Sequence, residues 1–80
     1  GDSPQGVYLQ LGAFAARENA ESFRVRVARE LAWLSQAIHV IASGGLFRLQ
    51  LGPYRTADEA RPVAERIQSE LSFKPLFVFR

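Results

Sequence analysis

From Val7 to Gly12 apolar and polar residues alternate: Val7, Leu9 and Leu11 fall on one side, Tyr8 and Gln10 on the other. Period two over that length predicts a half-buried strand ended by Gly12. From Asn19 to Leu34 the spacing changes. Ala20, Phe23, Val27, Leu31 and Leu34 recur every three or four residues, which predicts an amphipathic helix with Arg24, Arg26, Arg29 and Glu30 on its opposite side. Val25 and Trp33 lie off the stripe, and Trp33 either flanks the core or lies on the surface. Ala37 to Ala42 is rich in β-branched residues and runs into Ser43-Gly44-Gly45, a tight hairpin signal. Leu46 to Gly52 then alternates again, with Phe47, Leu49 and Leu51 inward and Arg48 and Gln50 outward. Thr56-Ala57-Asp58-Glu59 forms a capping box ahead of a second helical stripe, Ala60, Val63, Ile67 and Leu71. Pro62, early in that helix, is expected to disturb its second turn. Pro75 to Phe79 reads as a last strand, its proline marking a strand entry or a sheet edge.

Two of these stretches are copies. Leu9-Gln10-Leu11-Gly12-Ala13-Phe14 recurs 40 residues later as Leu49-Gln50-Leu51-Gly52-Pro53-Tyr54. Without a gap, the same offset lays Ala20 on Ala60, Phe23 on Val63, Arg26 on Arg66, Val27 on Ile67 and Glu30-Leu31 on Glu70-Leu71. A match that keeps phase through a strand, a turn and a helix indicates two copies of one supersecondary unit. The order strand, helix, strand, strand, helix, strand is the split βαβ, ferredoxin-like (RNP-like) arrangement, an α+β fold. Right-handed crossovers place the first and third strands together, antiparallel, in the middle of a four-stranded antiparallel sheet. Both helices then cover one face, and the other is left to solvent.

Eighty residues make one small domain, which buries only about 60–65% of its unfolded surface, so a dense core is needed. With 48% hydrophobic residues the chain can supply one. It has no cysteine, so disulfides and thiolate metal sites are excluded. No apolar run approaches the ~20 residues of a membrane span, and no membrane contact is expected of this domain. Residues 1–5 read as a linker or cloning remnant, and residues 6–80 as the domain. The net charge of +2 is too small for a nucleic-acid-binding field. Its basic residues are nearly all arginine, which favours planar, bidentate recognition.

On the expected phase the open face shows Tyr8 and Gln10 from the first strand and His39 and Ile41 from the second. The third strand adds Arg48 and Gln50, the last Phe77 and Phe79. Gln10 and Gln50 fall near a pseudo-two-fold axis. Amides and a guanidinium can hydrogen-bond hydroxyls or acetamido groups without much long-range charge, and aromatic flanks can cover apolar ring faces, a combination suited to a neutral, extended, polar polymer such as a carbohydrate strand. Each position also has the ordinary reading of a solvated strand residue. Phe77 and Phe79 would form an interaction patch if exposed; the alternative buries them and turns Leu76 and Val78 outward. Phe14 and Tyr54 serve either as hydrophobic plugs at the helix entries or as ligand-stacking rings. His39 stands alone, without a second metal ligand or a positioned partner for base catalysis. No phosphate loop, nucleophile elbow or zinc spacing occurs, so no cofactor or metal is expected and catalysis by this chain is not expected.

Tyr8-Leu9-Gln10-Leu11-Gly12-Ala13-Phe14, Asn19-Ala20-Glu21, Gly44-Gly45-Leu46-Phe47-Arg48-Leu49-Gln50-Leu51-Gly52-Pro53-Tyr54 and Ala57-Asp58-Glu59-Ala60 resemble the SPOR domain. The resemblance covers about residues 6–80. It extends to the SPOR domain of the rare lipoprotein A family, whose full-length members can carry a lytic transglycosylase domain. It implies a monomeric, non-catalytic module of the bacterial periplasm or cell envelope. Such a module binds peptidoglycan glycan strands stripped of stem peptides and brings its parent protein to the division septum. The family's polar strand positions map onto Gln10 and Arg48, and this chain has Gln50 where the family often has a basic residue. Two rivals share the topology: an RNA-recognition-like module for single-stranded nucleic acid, and a protein-interaction or dimerisation module using Phe77 and Phe79.

Overall fold

The two copies of the strand motif lie side by side. In the computed structural model, which describes residues 5–80, they form β1 (Val7–Phe14) and β3 (Leu46–Tyr54), the antiparallel central pair of one sheet. The sheet order is β2-β3-β1-β4, with β2 (Ile38–Ser43) and β4 (Leu76–Phe79) as edges. The helices are α1 (Arg17–Glu30) and α2 (Ala57–Leu71). Element order and central pairing follow the expected α+β, split-βαβ plan. The linker remnant expected at residues 1–5 lies outside the described residues except for Gln5, which is exposed.

The duplication is visible in the register. Gln10 faces Gln50, Val7 faces Tyr54 and Phe14 faces Phe47, so the dyad passes close to the glutamine pair. The β1–β3 ladder slips twice, between Val7 and Leu9 and between Gln10 and Gly12. Each slip lies beside one of the duplicated glycines. A one-residue slip reverses which side the following residues face. Strict alternation from Leu9 or Leu51 would have turned Phe14 and Tyr54 outward. Past the slips both rings pack against the core instead, which decides for the plugs.

One face carries that core. Leu9, Leu49 and Leu51 from the central strands, Ala20, Val27 and Leu31 from the first half, and Ala60 and Ile67 from α2 are at most 1% exposed. Each such leucine contributes roughly 1.5–3 kcal/mol by leaving water. Small residues recur at equivalent places: Ala20 and Ala60, 40 apart, let each helix approach the sheet closely at its first turn.

The helix ends differ from expectation in two places. α1 runs Arg17–Glu30 rather than 19–34; Leu31 leaves helical geometry, and its N–H still reaches the Val27 carbonyl at 2.8 Å. Leu34 then donates to Leu31 at 3.0 Å in a tight turn, which keeps both leucines on the core side. Pro62 does not break α2, which is continuous from Ala57 to Leu71. The proline falls in the first half of the helix and on its exposed side, where water can serve the Asp58 carbonyl that loses its N–H partner.

The last strand corrects an expectation. β1 pairs with β4 as Val7 with Phe79 and Leu9 with Phe77, so both phenylalanines lie on the helix-covered side, and Leu76 and Val78 turn to the open face. Side follows partner: Leu9 is fully buried under the helices, and Phe77 joins that cluster. Phe79 lies further along the edge, 67% exposed and stacked on Phe77 at 6.5 Å.

Candidate functional site

The pairings lay the open face out in rows. His39, Gln50, Gln10 and Leu76 form one row across all four strands. Ile41, Arg48 and Ala13 form the row on one side of it, and Tyr8 and Val78 lie on the other. Tyr8, Gln10, His39, Ile41, Arg48 and Gln50 therefore share this face as expected, whereas Phe77 and Phe79 do not.

The centre of the face is not open to water as the alternation alone suggests. Tyr8 is 1% exposed and Gln50 only 4%. The covering residue is Arg80. Its backbone extends the β1–β4 ladder by pairing with Gly6, at 3.2 and 3.0 Å, which puts its side chain on the same side as Tyr8. From there the guanidinium lies over the Tyr8 ring, 4.2 Å from the centroid, and its Nη2 donates to Gln50 Oε1. Such a cation over a ring contributes about 0.5–1 kcal/mol at an exposed site and more where water is excluded.

Beneath it the polar groups form a directed chain. Gln50 Nε2 donates to Gln10 Oε1 at 3.1 Å. Arg80 thus feeds Gln50, Gln50 feeds Gln10, and the Gln10 amide N–H groups stand at the end as donors. No buried side-chain polar atom among the described residues lacks a partner. On the β2 side, His39 Nε2 lies 3.1 Å from the Gly52 carbonyl. A carbonyl can only accept, so Nε2 carries a proton and donates to it. His39 also meets Tyr8 edge to face, with centroids 6.2 Å apart.

Gly52 makes room for this arrangement. Its φ is +152°, and a Cβ there would lie 2.9 Å from the Tyr8 ring and 3.0 Å from the Val7 carbonyl. The tyrosine lies in the space that a side chain at 52 would fill.

Charge is sorted between the two sides. Every described acidic residue belongs to α1 or α2, and among the described residues the open face holds Arg48, Arg80 and no acidic side chain. Arg48 bends toward the hairpin turn, its Nε donating to the Ser43 carbonyl at 3.3 Å. Among the described residues no group of histidine, cysteine and acidic side chains is placed to hold a metal.

Sequence reasoning missed Arg80 because it follows the last apolar residue and has no counterpart in the repeat. A strand that alternates outward at Leu76 and Val78 alternates outward again at position 80, and that signal was available. Trp33, which the pattern could not place, turns out to join the helices. Its Nε1 donates to Glu70 Oε1 at 3.2 Å, and Arg66 lies 4.0 Å over its ring while pairing with Glu70. Those hydrogen bonds, first from Arg66 and then from Trp33, hold the Glu70 carboxyl below its ordinary range. Trp33 lies on the helix side, away from the open face.

Fold and face together define a class: a duplicated split-βαβ domain whose bare sheet is centred on an amide pair at the dyad. The chain belongs to the SPOR domain family, whose model matches residues 3–79. It is similar to the crystal structure of the RlpA SPOR domain from Pseudomonas aeruginosa, with 30% identity and a TM-score of 0.68 over 94% of this chain and 100% of that one. It is also similar to the solution structure of the peptidoglycan binding domain of the B. subtilis cell wall lytic enzyme CwlC. That match has 25% identity and a TM-score of 0.71 over 100% of this chain and 96% of the other. No curated protein matches the chain. The resemblance and the fold class read from the sequence both agree with these findings.

Proposed function

We propose that this domain binds peptidoglycan through its open face, without catalysis of its own, and so retains the protein that carries it in the bacterial cell envelope. The ligand in this reading is the glycan strand freed of stem peptides, and the destination is the division septum where such strands collect. One observation carries it. The Gln50–Gln10 amide pair at the dyad ends in donors, on a sheet face framed by Arg48, His39 and Arg80 and, among the described residues, free of acidic side chains. Donors so placed match sugar hydroxyls and acetamido carbonyls. Membership of the SPOR family, and the likeness to a domain described as peptidoglycan binding, support the same reading.

The nucleic-acid alternative needs bare rings on the central strands. Tyr8 lies under Arg80, and β3 offers Arg48, its equivalent in the repeat, and Gln50 in place of rings. The protein-interaction alternative drew on Phe77 and Phe79, which belong to the other side of the sheet. Co-sedimentation with amidase-treated sacculi is the test. The wild-type chain is expected to bind and Gln10→Ala to bind several-fold more weakly with an unchanged circular dichroism spectrum. Full binding by Gln10→Ala and by Arg48→Ala would remove this face from the proposal.

A further inference from the structure

The two phenylalanines absent from the open face lie on its border. β4 is the outer strand on that side, and among the described residues no strand pairs with its far edge. Gly6 and Arg80 exchange two main-chain hydrogen bonds, so by antiparallel alternation Val78 and Leu76 also bond to β1. Phe77 and Phe79 therefore turn their N–H and C=O groups outward. Edge strands usually carry a charge or a bulge that blocks pairing with another chain. β4 has neither: Leu76 to Phe79 is wholly apolar, and its ladder with β1 runs without a slip. Of the three strongly exposed large hydrophobics among the described residues, two lie on it, Leu76 at 63% and Phe79 at 67%.

We propose that β4 pairs with β4 of a second copy of this chain, and that the glycan strand is what brings the two copies together. The inference rests on the peptidoglycan reading above and adds a contact to that site. The edge is self-complementary, which decides for a second copy. A two-fold axis through Val78, perpendicular to the sheet, sets Phe77 opposite Phe79 of the second copy and the reverse, so the outward main-chain groups of both residues find partners. On the helix side the Phe77–Phe79 stack is joined by its own copy, next to a hollow of about 260 Å³ that Phe77 lines with Ala64 and Pro75. Leu76 falls opposite Arg80 of the second copy, so no like charges face one another. The same axis keeps both open faces on one side, and the glycan sites run on from one domain to the next. A lasting interface uses about 20–30 residues a side, and β4 offers four. The contact is therefore weak in free solution, where the domain stays mainly monomeric. Two copies on one glycan strand meet at an effective concentration of about a millimolar, and there a weak contact tells.

The experiment titrates the chain against two probes, a long glycan from amidase-treated sacculi and an oligomer of it too short to seat two copies. Wild-type binding is expected to be sigmoidal on the long strand and hyperbolic on the short one. Phe79→Lys, a change at an exposed position on the helix side, should remove the sigmoidal shape and weaken long-strand binding by about tenfold, with short-oligomer binding unchanged. Val78→Cys tests the register. The axis opposes Val78 to its own copy in a non-hydrogen-bonded pair, where side chains stand closest, and the chain has no cysteine of its own. Oxidised in air on the long glycan, this variant should form a disulfide-linked dimer, while Val25→Cys, exposed on α1, should stay monomeric. Simple saturation of the long strand by the wild-type chain would overturn the proposal and leave peptidoglycan binding in place. Cooperativity that survives Phe79→Lys would also overturn it, since the copies would then meet elsewhere. Cross-linking of Val78→Cys without affinity for either glycan would sustain the strand pairing and remove the reading underneath.

Discussion

The first half of the chain, β1 with α1, and the second, β3 with α2, share one plan and finish it differently. Both begin with Leu-Gln-Leu-Gly, slip their ladder beside the glycine and turn an aromatic plug into the core. Yet Gln50 is nearly sealed where Gln10 is only partly buried, because Arg80 reaches over only one of them. The dyad therefore supplies the geometry, and a residue outside the repeat supplies the direction. A symmetric pair of amides could hydrogen-bond in either sense. With Arg80 donating to the Gln50 oxygen, the Gln50 nitrogen is the group left to face Gln10.

If the halves are equivalent in the core, removing the same side chain from each should hurt equally. Leu9 and Leu49 sit 40 residues apart and both are fully buried. Leu9→Ala and Leu49→Ala are each expected to cost about 2–5 kcal/mol in urea denaturation, through lost transfer energy and the cavity left behind. A gap between the two larger than about 1 kcal/mol would mean that one half relaxes around its cavity and the other does not.

The glycines are expected to break the equivalence. A methyl at Gly52 would demand a positive φ and press on the Tyr8 ring and a main-chain carbonyl; at Gly12 it would meet only the outer edge of the Phe14 ring, at 2.9 Å. Gly52→Ala should therefore cost roughly 1–3 kcal/mol and Gly12→Ala less. Because the Gly52 change also tilts Tyr8, glycan binding should weaken with it, and equal losses from both variants would deny Gly52 its part in shaping the open face.

The helix starts differ by a smaller amount. Thr56 Oγ1 accepts from the Glu59 N–H at 3.1 Å, and Glu59 returns to accept from the Arg55 N–H, one residue earlier than a strict capping box. Ala16 occupies the matching cap of α1 in the same extended geometry, with no side-chain bond. Thr56→Ala should lower stability by about 1 kcal/mol, and Ala16→Asp should raise it by a similar or smaller amount. Thermal denaturation reads both, and a loss from Ala16→Asp would show that the two caps are not interchangeable.

The comparison also explains what was legible beforehand. Period and duplication are local properties, and they gave the element order, the central pairing and six of the face residues. Phe77 and Phe79 went to the wrong side because β4 is four residues of unbroken apolar character, Leu76 to Phe79, with no polar residue to set the phase. Only the pairing of Leu9 with Phe77 decides it. Phe14 and Tyr54 could not be decided from alternation because the ladder slips beside each glycine interrupt it. Arg80 and Trp33 act through contacts made once the chain has closed, Arg80 with Gln50 and Trp33 with Glu70, 37 residues on.

Glu30 and Glu70 are the last equivalent pair, and they sharpen the comparison by the smallest expected effect. Both accept from an arginine four residues earlier, Arg26 and Arg66, but only Glu70 also accepts from Trp33. Its carboxyl is held below the ordinary glutamate value of 4.5, first by the Arg66 hydrogen bond and then by that from Trp33. A carboxyl depressed in the folded state stabilises fully above its unfolded value and loses that contribution as pH falls through its folded value. The melting temperature should therefore slip slightly below pH 4.5 through this group. Trp33 is the only tryptophan in the chain, so its fluorescence reports the event directly. An acid titration should show a step with its midpoint under 4.5, absent in Glu70→Gln and retained in Glu30→Gln. A step that survives Glu70→Gln would assign the change to some other carboxyl and dissolve the distinction between the two helix ends.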